Sequence, residues 1–292
     1  MSKLRITRLD RQQVIPCLCL VAVLVVSLTG CGSPPNATAV NRADAEREEA
    51  PHTGADAPVT AAPENGAATP TLAETGPPGA SVRLSGRVIL EGSPPARRVV
   101  NTSKDPACAT LHDGKPVLDE DLIVSDGGGV KNAFVYLRRG APKQSYPLPE
   151  KPAVLNQQGC MFQPRVQGVR VGQRMLVGNA DPVTHNVRSF PILNQAFNFG
   201  QPAGTDPRER TFEQAEREIE VQCDVHPWMH AYIFVMDHPY FSVTGDDGAF
   251  AIDGLPPGEY ALESWHEKLG KQRKTVMASD SSPVEVSFTY QQ

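Results

Sequence analysis

Basic residues are not in excess in this chain, and several common functional patterns are absent from it. Lysine and arginine number 28 against 33 aspartate and glutamate, for a formal net charge of −5, and no basic patch of the kind that binds nucleic acid occurs. Nothing resembles a catalytic triad, a catalytic carboxylate pair or a phosphate-binding loop. The best helical candidate, residues 210–216, is short and charged and predicts a loop with a helical turn. These absences argue against nucleic-acid binding and against an enzyme.

The N-terminal region contains an apolar run, Val14–Leu28, that is too short and ends too abruptly to be a permanent membrane span. It follows several basic residues, which is typical of a secretory signal peptide; these are Lys3, Arg5, Arg8 and Arg11. The run closes with Leu28-Thr-Gly-Cys31, which resembles the bacterial lipobox. The resemblance implies a signal peptide over residues 1–30 and lipidation of Cys31.

A lipidated Cys31 would anchor the protein on the periplasmic side of a bacterial membrane, with no membrane contact other than the lipid. Gly32 and Ser33 follow the cysteine, so the second mature position is not aspartate, which favours the outer membrane for signals of this kind. The alternative is a plain secretory signal in which Cys31 is incidental.

Residues 31–80 predict a disordered linker after the lipidated cysteine. From Gly32 to about Ala80 the chain has no aromatic residue, and its only large aliphatic residues are Val40, Val59 and Leu72. Such a composition cannot bury a core. A flexible tether of about 50 residues spans on the order of 40 Å, so the folded part could swing away from a membrane.

The remaining residues, from about 81 to 292, predict an all-β protein. Segments with strand-like alternation or β-branched and aromatic runs are separated by glycine and proline; they are Val82–Leu90, Val130–Leu137, Gly168–Val177, Glu218–Gln222, Ala231–Met236, Ala249–Ile252, Tyr260–Trp265 and Val284–Tyr290. Roughly 210 residues with this many strands favour two packed β-sandwiches over one.

One loop concentrates metal-binding side chains: Cys223-Asp-Val-His226-Pro-Trp-Met229. A thiolate, an imidazole and a weak thioether together are the ligands of a blue copper centre, whereas zinc normally takes a stronger donor than methionine. Upstream, the turn-rich Asn-Ala-Asp-Pro segment leads to His185, at the mouth of an apolar strand. Taken singly, Cys223 could be a buried free thiol and Met229 a core residue.

Together these motifs resemble the cupredoxins, with the short ligand loop of the amicyanin type. That loop reads Cys-x-x-His-Pro-Phe-Met, with Trp228 here in place of phenylalanine, and the family's Asn…His-Asn pattern matches Asn179, His185 and Asn186. The resemblance implies a Greek-key sandwich holding one type 1 copper. The implied ligands are His185, Cys223, His226 and Met229, and Asn186 and Pro227 support them.

The same resemblance implies a carrier of single electrons. His226, on the loop, is expected to have its outer edge near solvent, and Trp228 to form part of an apolar rim. A redox protein such as a c-type cytochrome or a dehydrogenase would dock there. Two alternatives are a copper storage or delivery protein, and a non-catalytic β-sandwich module that binds protein or carbohydrate and carries a vestigial cupredoxin.

The cysteine count adds a disulfide hypothesis. Of six cysteines, two leave with the signal peptide and one carries the lipid, so Cys108, Cys160 and Cys223 remain. If Cys223 is a metal ligand, the other two are a natural pair in an oxidising compartment. Two free thiols are the alternative. A disulfide closing about 52 residues would stabilise the fold by roughly 4 kcal/mol.

A second resemblance lies near the C-terminus. Residues 244–262 contain an Asp-Asp-Gly turn, an alternating Phe250 and Ile252, and a Pro-Pro-Gly before Tyr260. They resemble the carboxypeptidase regulatory-like, or transthyretin-like, β-sandwich, whose opening strands are similar to residues 84–90 and 132–137. We therefore predict that such a sandwich, residues 81–146 with 239–292, contains an inserted cupredoxin-like domain, 147–238. The alternative assigns the early strands to an enlarged cupredoxin.

Overall fold

The computed structural model describes residues 81–102, 105–279 and 282–292. The predicted signal peptide, the lipidation of Cys31 and the linker lie outside the described residues. Among the residues that are described, no helix is long and apolar enough to cross a membrane.

The described chain is all-β, as predicted, apart from one five-residue helix. Its elements, in chain order, are β1 (Val82–Glu91), α1 (Pro106–Thr110), β2 (Phe134–Arg139), β3 (Ala153–Gln158), β4 (Met161–Gln163), β5 (Val166–Arg170), β6 (Met175–Val177), β7 (His185–Phe190), β8 (Asn198–Gln201), β9 (Arg208–Arg210), β10 (Glu216–Gln222), β11 (His230–Met236), β12 (Phe241–Val243), β13 (Ala249–Leu255), β14 (Gly258–His266), β15 (Gly270–Ala278), β16 (Val284–Glu285) and β17 (Phe288–Gln291).

Strands from the two ends of the described chain form two of the four sheets. One has the order β13-β1-β16, with β17 also paired to β1, and the other has the order β12-β2-β14-β15. The antiparallel pairing of β1 with β13 sets Leu84 opposite Ile252. Because alternate side chains of a strand face the same side, these strands enclose one core, to which Val88, Phe250 and Phe288 also belong. That β1 and β2 pair with these late strands is consistent with a discontinuous sandwich, and its transthyretin-like nature stays a prediction.

The strands between them form the other two sheets. Their orders are β4-β3-β6-β9 and β5-β11-β10-β7-β8. A second core lies between these sheets and includes Leu155, Phe162, Val187 and Ile233. Cys223 and Met229 belong to the same core, so the proposed ligand loop closes one end of this sandwich.

Aromatic side chains fill the contact between the two pairs of sheets. Phe134 of β2 stacks on Phe234 of β11 with ring centroids 4.0 Å apart, and Trp265 of β14 lies edge-on to Phe234 at 5.1 Å. Their cluster also holds Tyr136 and Met236 and is buried. The two sandwiches therefore share a packed apolar interface.

A buried arginine adds polar links across the same contact. Arg165, just before β5, has a side chain only 3% exposed and pairs with Glu267 at 2.5 Å and with Asp121 at 2.9 Å. Asp121 also binds Arg98 and Lys268. The long segment between β1 and β2 is thereby tied to both sandwiches.

The structure corrects several predicted elements. The single predicted strand over residues 168–177 is two strands, because the chain turns at Gly172, whose φ of +79° suits glycine. The predicted strand over 284–290 is likewise interrupted between β16 and β17. Residues 211–215 contain no helical turn. The one helix starts instead at Pro106, with Asp105 as its N-cap.

We predict that replacing Arg165 destabilises the protein strongly. Arg165→Ala leaves Glu267 buried without its partner, and breaking a buried pair in this way costs about 3–5 kcal/mol. The matched control is Arg174→Ala, whose exposed pair with Glu209 should contribute little to stability, because solvent and salt screen it. Equilibrium unfolding in guanidinium measures both; equal losses would show that the buried pair is not a special stabilising contact.

We also predict that His266 makes the fold acid-sensitive. Burial, reinforced by the charge of Arg165, lowers the pKa of His266 from 6.5 to about 4, and its Nδ1 accepts a hydrogen bond from Lys268 N–H. The neutral imidazole therefore contributes stability that is fully present above pH 6.5. That contribution, about 3 kcal/mol, disappears as the pH falls from 6.5 towards 4, because the unfolded chain takes up the proton first.

The measurement is the free energy of unfolding between about pH 4 and 7. His266→Gln should make the free energy of unfolding fall less steeply as the pH is lowered through this range. If the free energy of unfolding of His266→Gln declined with falling pH as steeply as that of the wild type, the proposed role of His266 would be contradicted.

Candidate metal centre

Neighbouring strand ends bring the predicted ligands together. Cys223 directly follows β10, and the loop to Met229 leads into β11. His185 is the first residue of β7, which pairs antiparallel with β10. The loop is closed by backbone hydrogen bonds: Met229 N–H donates to the His226 carbonyl at 2.9 Å, and Cys223 N–H donates to the Met229 carbonyl at 3.2 Å. His185, at the start of β7, therefore lies beside Cys223, at the end of the neighbouring strand β10.

Three of the four predicted ligands converge on one buried point. The Nδ1 atoms of His185 and His226 are 2.9 Å apart, and Cys223 Sγ lies 3.7 Å from His226 Nδ1. One ligand atom from each residue lies within 4.8 Å of the others. Met229 is fully buried in the same core. A thiolate with two imidazole nitrogens is a donor set that fits copper.

The surroundings of Cys223 favour the thiolate form of its side chain. Burial alone raises the pKa of this thiol, but hydrogen bonds from His185 and from the backbone N–H of Asn186 outweigh burial and lower the pKa below its usual value. The Asn186 N–H lies 3.3 Å from Sγ. The thiolate is the form of cysteine that binds metals.

Asn186 also ties the ligand loop to the neighbouring strand. Its Oδ1 accepts a hydrogen bond from Asp224 N–H at 3.1 Å, and its Nδ2 donates to Asn198 Oδ1 at 2.7 Å. The upstream Asn179 holds the turn before β7, because its Nδ2 donates to the carbonyls of Val183 and Gln201.

Each imidazole presents its outer nitrogen to a carboxylate that sequence reasoning missed. His185 Nε2 lies 2.8 Å from Asp181 Oδ2, and His226 Nε2 lies 2.9 Å from Asp105 Oδ2. A carboxylate that accepts a hydrogen bond from Nε2 leaves the Nδ1 lone pair free for a metal and raises its basicity.

These contacts change the titration of the buried groups. Burial lowers the pKa of His185, but hydrogen bonds with Asp181 and Cys223 outweigh it and raise the pKa to about 9. Burial also raises the pKa of Asp181, yet hydrogen bonds from His185 and from the backbone N–H groups of Cys160 and Gly159 lower it overall. The hydrogen bond from His226 lowers the pKa of Asp105.

A disulfide lies beside both carboxylates. Cys108 of α1 is bonded to Cys160, with their Cα atoms 5.7 Å apart. Cys160 N–H donates to Asp181 Oδ2 at 2.8 Å, and Cys108 Sγ lies 3.5 Å from His226 Nε2. Two further groupings of possible donors within the described residues include one or both of these cysteines; since the two sulfurs are bonded to each other, neither grouping is a separate metal site.

The expected exposure of His226 is wrong. Its side chain is only 1% exposed, because α1 and Asp105 cover its outer edge. His226 was predicted to lie near solvent because it is in a loop. The sequence pattern of that loop gives no information about Asp105, which lies 121 residues earlier in the chain.

Trp228 and Pro227 lie beside this covered edge. The Trp228 ring is half-buried, its centroid is 5.1 Å from that of His226, and its Nε1–H donates to the Cys160 carbonyl at 3.0 Å. Pro227 is exposed, and its carbonyl lies 2.8 Å from His230 Nε2. His230 also contacts Glu220 and is not part of the converging set.

Solved structures that are similar to part of the chain include cupredoxins and a copper enzyme. No protein-family profile matches the chain, and no curated protein matches it. The chain is 21% identical to a copper-containing nitrite reductase from Thermus scotoductus SA-01 over 35% of this chain and 25% of that one, with a TM-score of 0.28. It therefore spans about a quarter of that enzyme.

Two small copper proteins are matched over nearly their whole length. A purple cupredoxin from Nitrosopumilus maritimus is 23% identical over 29% of this chain and 99% of its own, with a TM-score of 0.25. A methionine-to-alanine mutant of amicyanin in the Cu(I) state is 16% identical over 35% of this chain and 98% of its own, with a TM-score of 0.26. Similarity at this level is not evidence of function.

We predict that the disulfide contributes substantially to stability. Replacing both Cys108 and Cys160 with serine frees a loop of 52 residues, which should lower the free energy of unfolding by about 4 kcal/mol. Unfolding of the oxidised wild type, the reduced wild type and the double variant measures the loss. Peptide mapping without reduction should find the two cysteines linked; finding both alkylated in unreduced protein would contradict the assignment.

Proposed function

We propose that this protein is a type 1 copper protein that carries single electrons between redox partners. The observation that carries the proposal is the convergence of Cys223 Sγ with the Nδ1 atoms of His185 and His226 at one buried point. The buried Met229 would hold the copper as a further, weaker ligand. Copper bound there would supply a one-electron couple between Cu(I) and Cu(II).

The protein's own part is to hold the ligands still. His185 and Cys223 lie at the ends of paired strands, and each outer imidazole nitrogen faces a carboxylate. Asn186 fixes the ligand loop through Asp224 N–H. A site held from so many directions favours little rearrangement between oxidation states, which is what fast electron transfer requires.

Burial of the ligands favours a carrier over a storage or delivery protein. His185, Cys223 and His226 are each at most 2% exposed. A delivery protein needs ligands that an acceptor can reach, and a metalloenzyme needs a position open to substrate. The closed donor set suits neither role, so we propose a carrier that is not itself an enzyme.

We propose that a redox partner docks at the loop edge formed by Val225, Pro227 and Trp228. Val225 is 53% exposed, and Trp228 lies directly beside His226. A c-type cytochrome or a dehydrogenase would be a suitable partner. The proposed setting is the periplasmic side of a bacterial membrane, most favourably the outer one, with lipid on Cys31 as the anchor.

We predict that the protein binds one copper and becomes intensely coloured. Thiolate-to-Cu(II) charge transfer requires Cys223, so Cys223→Ser should abolish the visible band even if copper still binds. His230→Gln is the matched control, since His230 follows Met229 directly but contacts Glu220 and Pro227 instead; it should keep the colour.

The measurement is an absorption titration of the purified protein with Cu(II), with metal content determined afterwards. A colourless wild type with bound copper would contradict the type 1 assignment. An unchanged band in Cys223→Ser would show that another group supplies the charge transfer.

A further inference from the structure

We infer that Asp105 is a positioning residue for His226 and that disulfide-tied α1 forms a fixed cap over the copper site, which lowers the reduction potential. This inference rests on the proposed function. It concerns a part of the chain that precedes both ligand motifs and that the ligand set does not require.

The cap covers the one ligand that a loop would otherwise expose. Asp105 Oδ2 lies 2.9 Å from His226 Nε2, and Cys108 Sγ lies 3.5 Å from the same nitrogen. Trp228 covers a further side of the ring. The outer nitrogen of His226 therefore meets protein atoms and is shielded from bulk solvent.

The carboxylate of Asp105 is held in place by its own helix. Its Oδ1 accepts a hydrogen bond from Ala107 N–H at 3.1 Å as the N-cap of α1, which leaves Oδ2 directed at His226. The Asp105 carbonyl accepts from Cys108 N–H at 3.1 Å. Because Cys108 is bonded to Cys160, the position of Asp105 is set by a covalent link within one helical turn.

The same disulfide also supports the other imidazole. Gly159 and Cys160 donate their backbone N–H groups to the two oxygens of Asp181, at 2.7 and 2.8 Å. Asp181 in turn contacts His185. Both histidines are thus oriented by carboxylates whose positions depend on the bond between Cys108 and Cys160.

The charge of Asp105 has a defined effect on a bound metal. A nearby anion stabilises Cu(II) more than Cu(I), because the interaction grows with the charge of the ion. An imidazole that donates its outer N–H to a carboxylate is also a stronger donor to the metal. Both effects favour the oxidised form, so the cap should lower the reduction potential.

The first test is voltammetry of the copper-loaded full chain. Asp105→Asn keeps the size of the side chain and removes its charge. We expect the preference for Cu(II) over Cu(I) to fall by about tenfold, which is a rise of about 59 mV for one electron.

The matched control is Asp224→Asn. Asp224 lies in the ligand loop, and its side chain is 44% exposed and pairs with the similarly exposed Arg188. Removing this charge should raise the reduction potential by less than half of the rise expected for Asp105→Asn. Equal shifts in the two variants, or none in Asp105→Asn, would overturn the positioning role.

The second test needs no metal. In the oxidised, copper-free protein, diethyl pyrocarbonate should modify the partly exposed His230 and spare His226. Asp105→Ala, with the disulfide intact, should raise the rate at His226 by about tenfold or more, because modification follows the population of the open state. The double serine variant of Cys108 and Cys160, if it folds, should behave in the same way.

The two tests separate the two proposals. Protection of His226 that Asp105→Ala removes, in a protein that binds no copper, would support the cap and refute the proposed function. A coloured copper protein in which His226 reacts as fast as His230 would refute the cap and leave the proposed function standing.

Discussion

The bond between Cys108 and Cys160 is the constraint on which the geometry of the site depends. It joins α1, which lies between the first two strands, to the turn between β3 and β4. On one side it places Asp105 against His226, and on the other its Cys160 N–H holds Asp181 against His185. A single covalent link therefore organises the surroundings of both imidazoles.

The segment that carries α1 is braced at a second point. Asp121 binds the buried Arg165, which also binds Glu267 after β14. Within this segment, Arg98, which precedes α1, pairs with Asp119 and Asp121, which follow it. Because Phe134 and Phe234 stack in the apolar interface between the sandwiches, the segment that carries the cap is attached to two sandwiches that also pack against each other. The sandwich formed by strands from the two ends of the described chain thereby supports the candidate metal site without contributing any of the converging residues.

Short-range patterns were sufficient to predict that Cys223 and His226 converge with His185. Cys223, His226 and Met229 lie within seven residues, and a loop that short can present its side chains in few ways. His185 could be added because strands of one sheet often meet at their ends. Several strand positions followed from alternation in the same manner, although β3 and β15 were not predicted. Turns such as that at Gly172 also split segments whose apolar pattern is continuous.

Longer-range contacts could not be predicted in this way. The Asp105-Pro106 pair does signal a helix start, since proline suits the first helical position and aspartate the N-cap. Nothing local in that signal identifies His226, 121 residues later, as its partner. Asp181 was visible as part of a turn before His185, but its contact with the imidazole depends on backbone N–H groups of Gly159 and Cys160. The prediction that His226 lies near solvent was wrong for the same reason, because the residues that cover it are distant in sequence.

X-ray absorption at the copper edge of the loaded, oxidised protein tests the central claim most directly, because it counts the ligand types around the metal. The account predicts one short bond to the sulfur of Cys223 and two bonds to the imidazole nitrogens of His185 and His226, with the sulfur bond lost in Cys223→Ser. A copper coordinated by nitrogen and oxygen alone in the wild-type protein would contradict it.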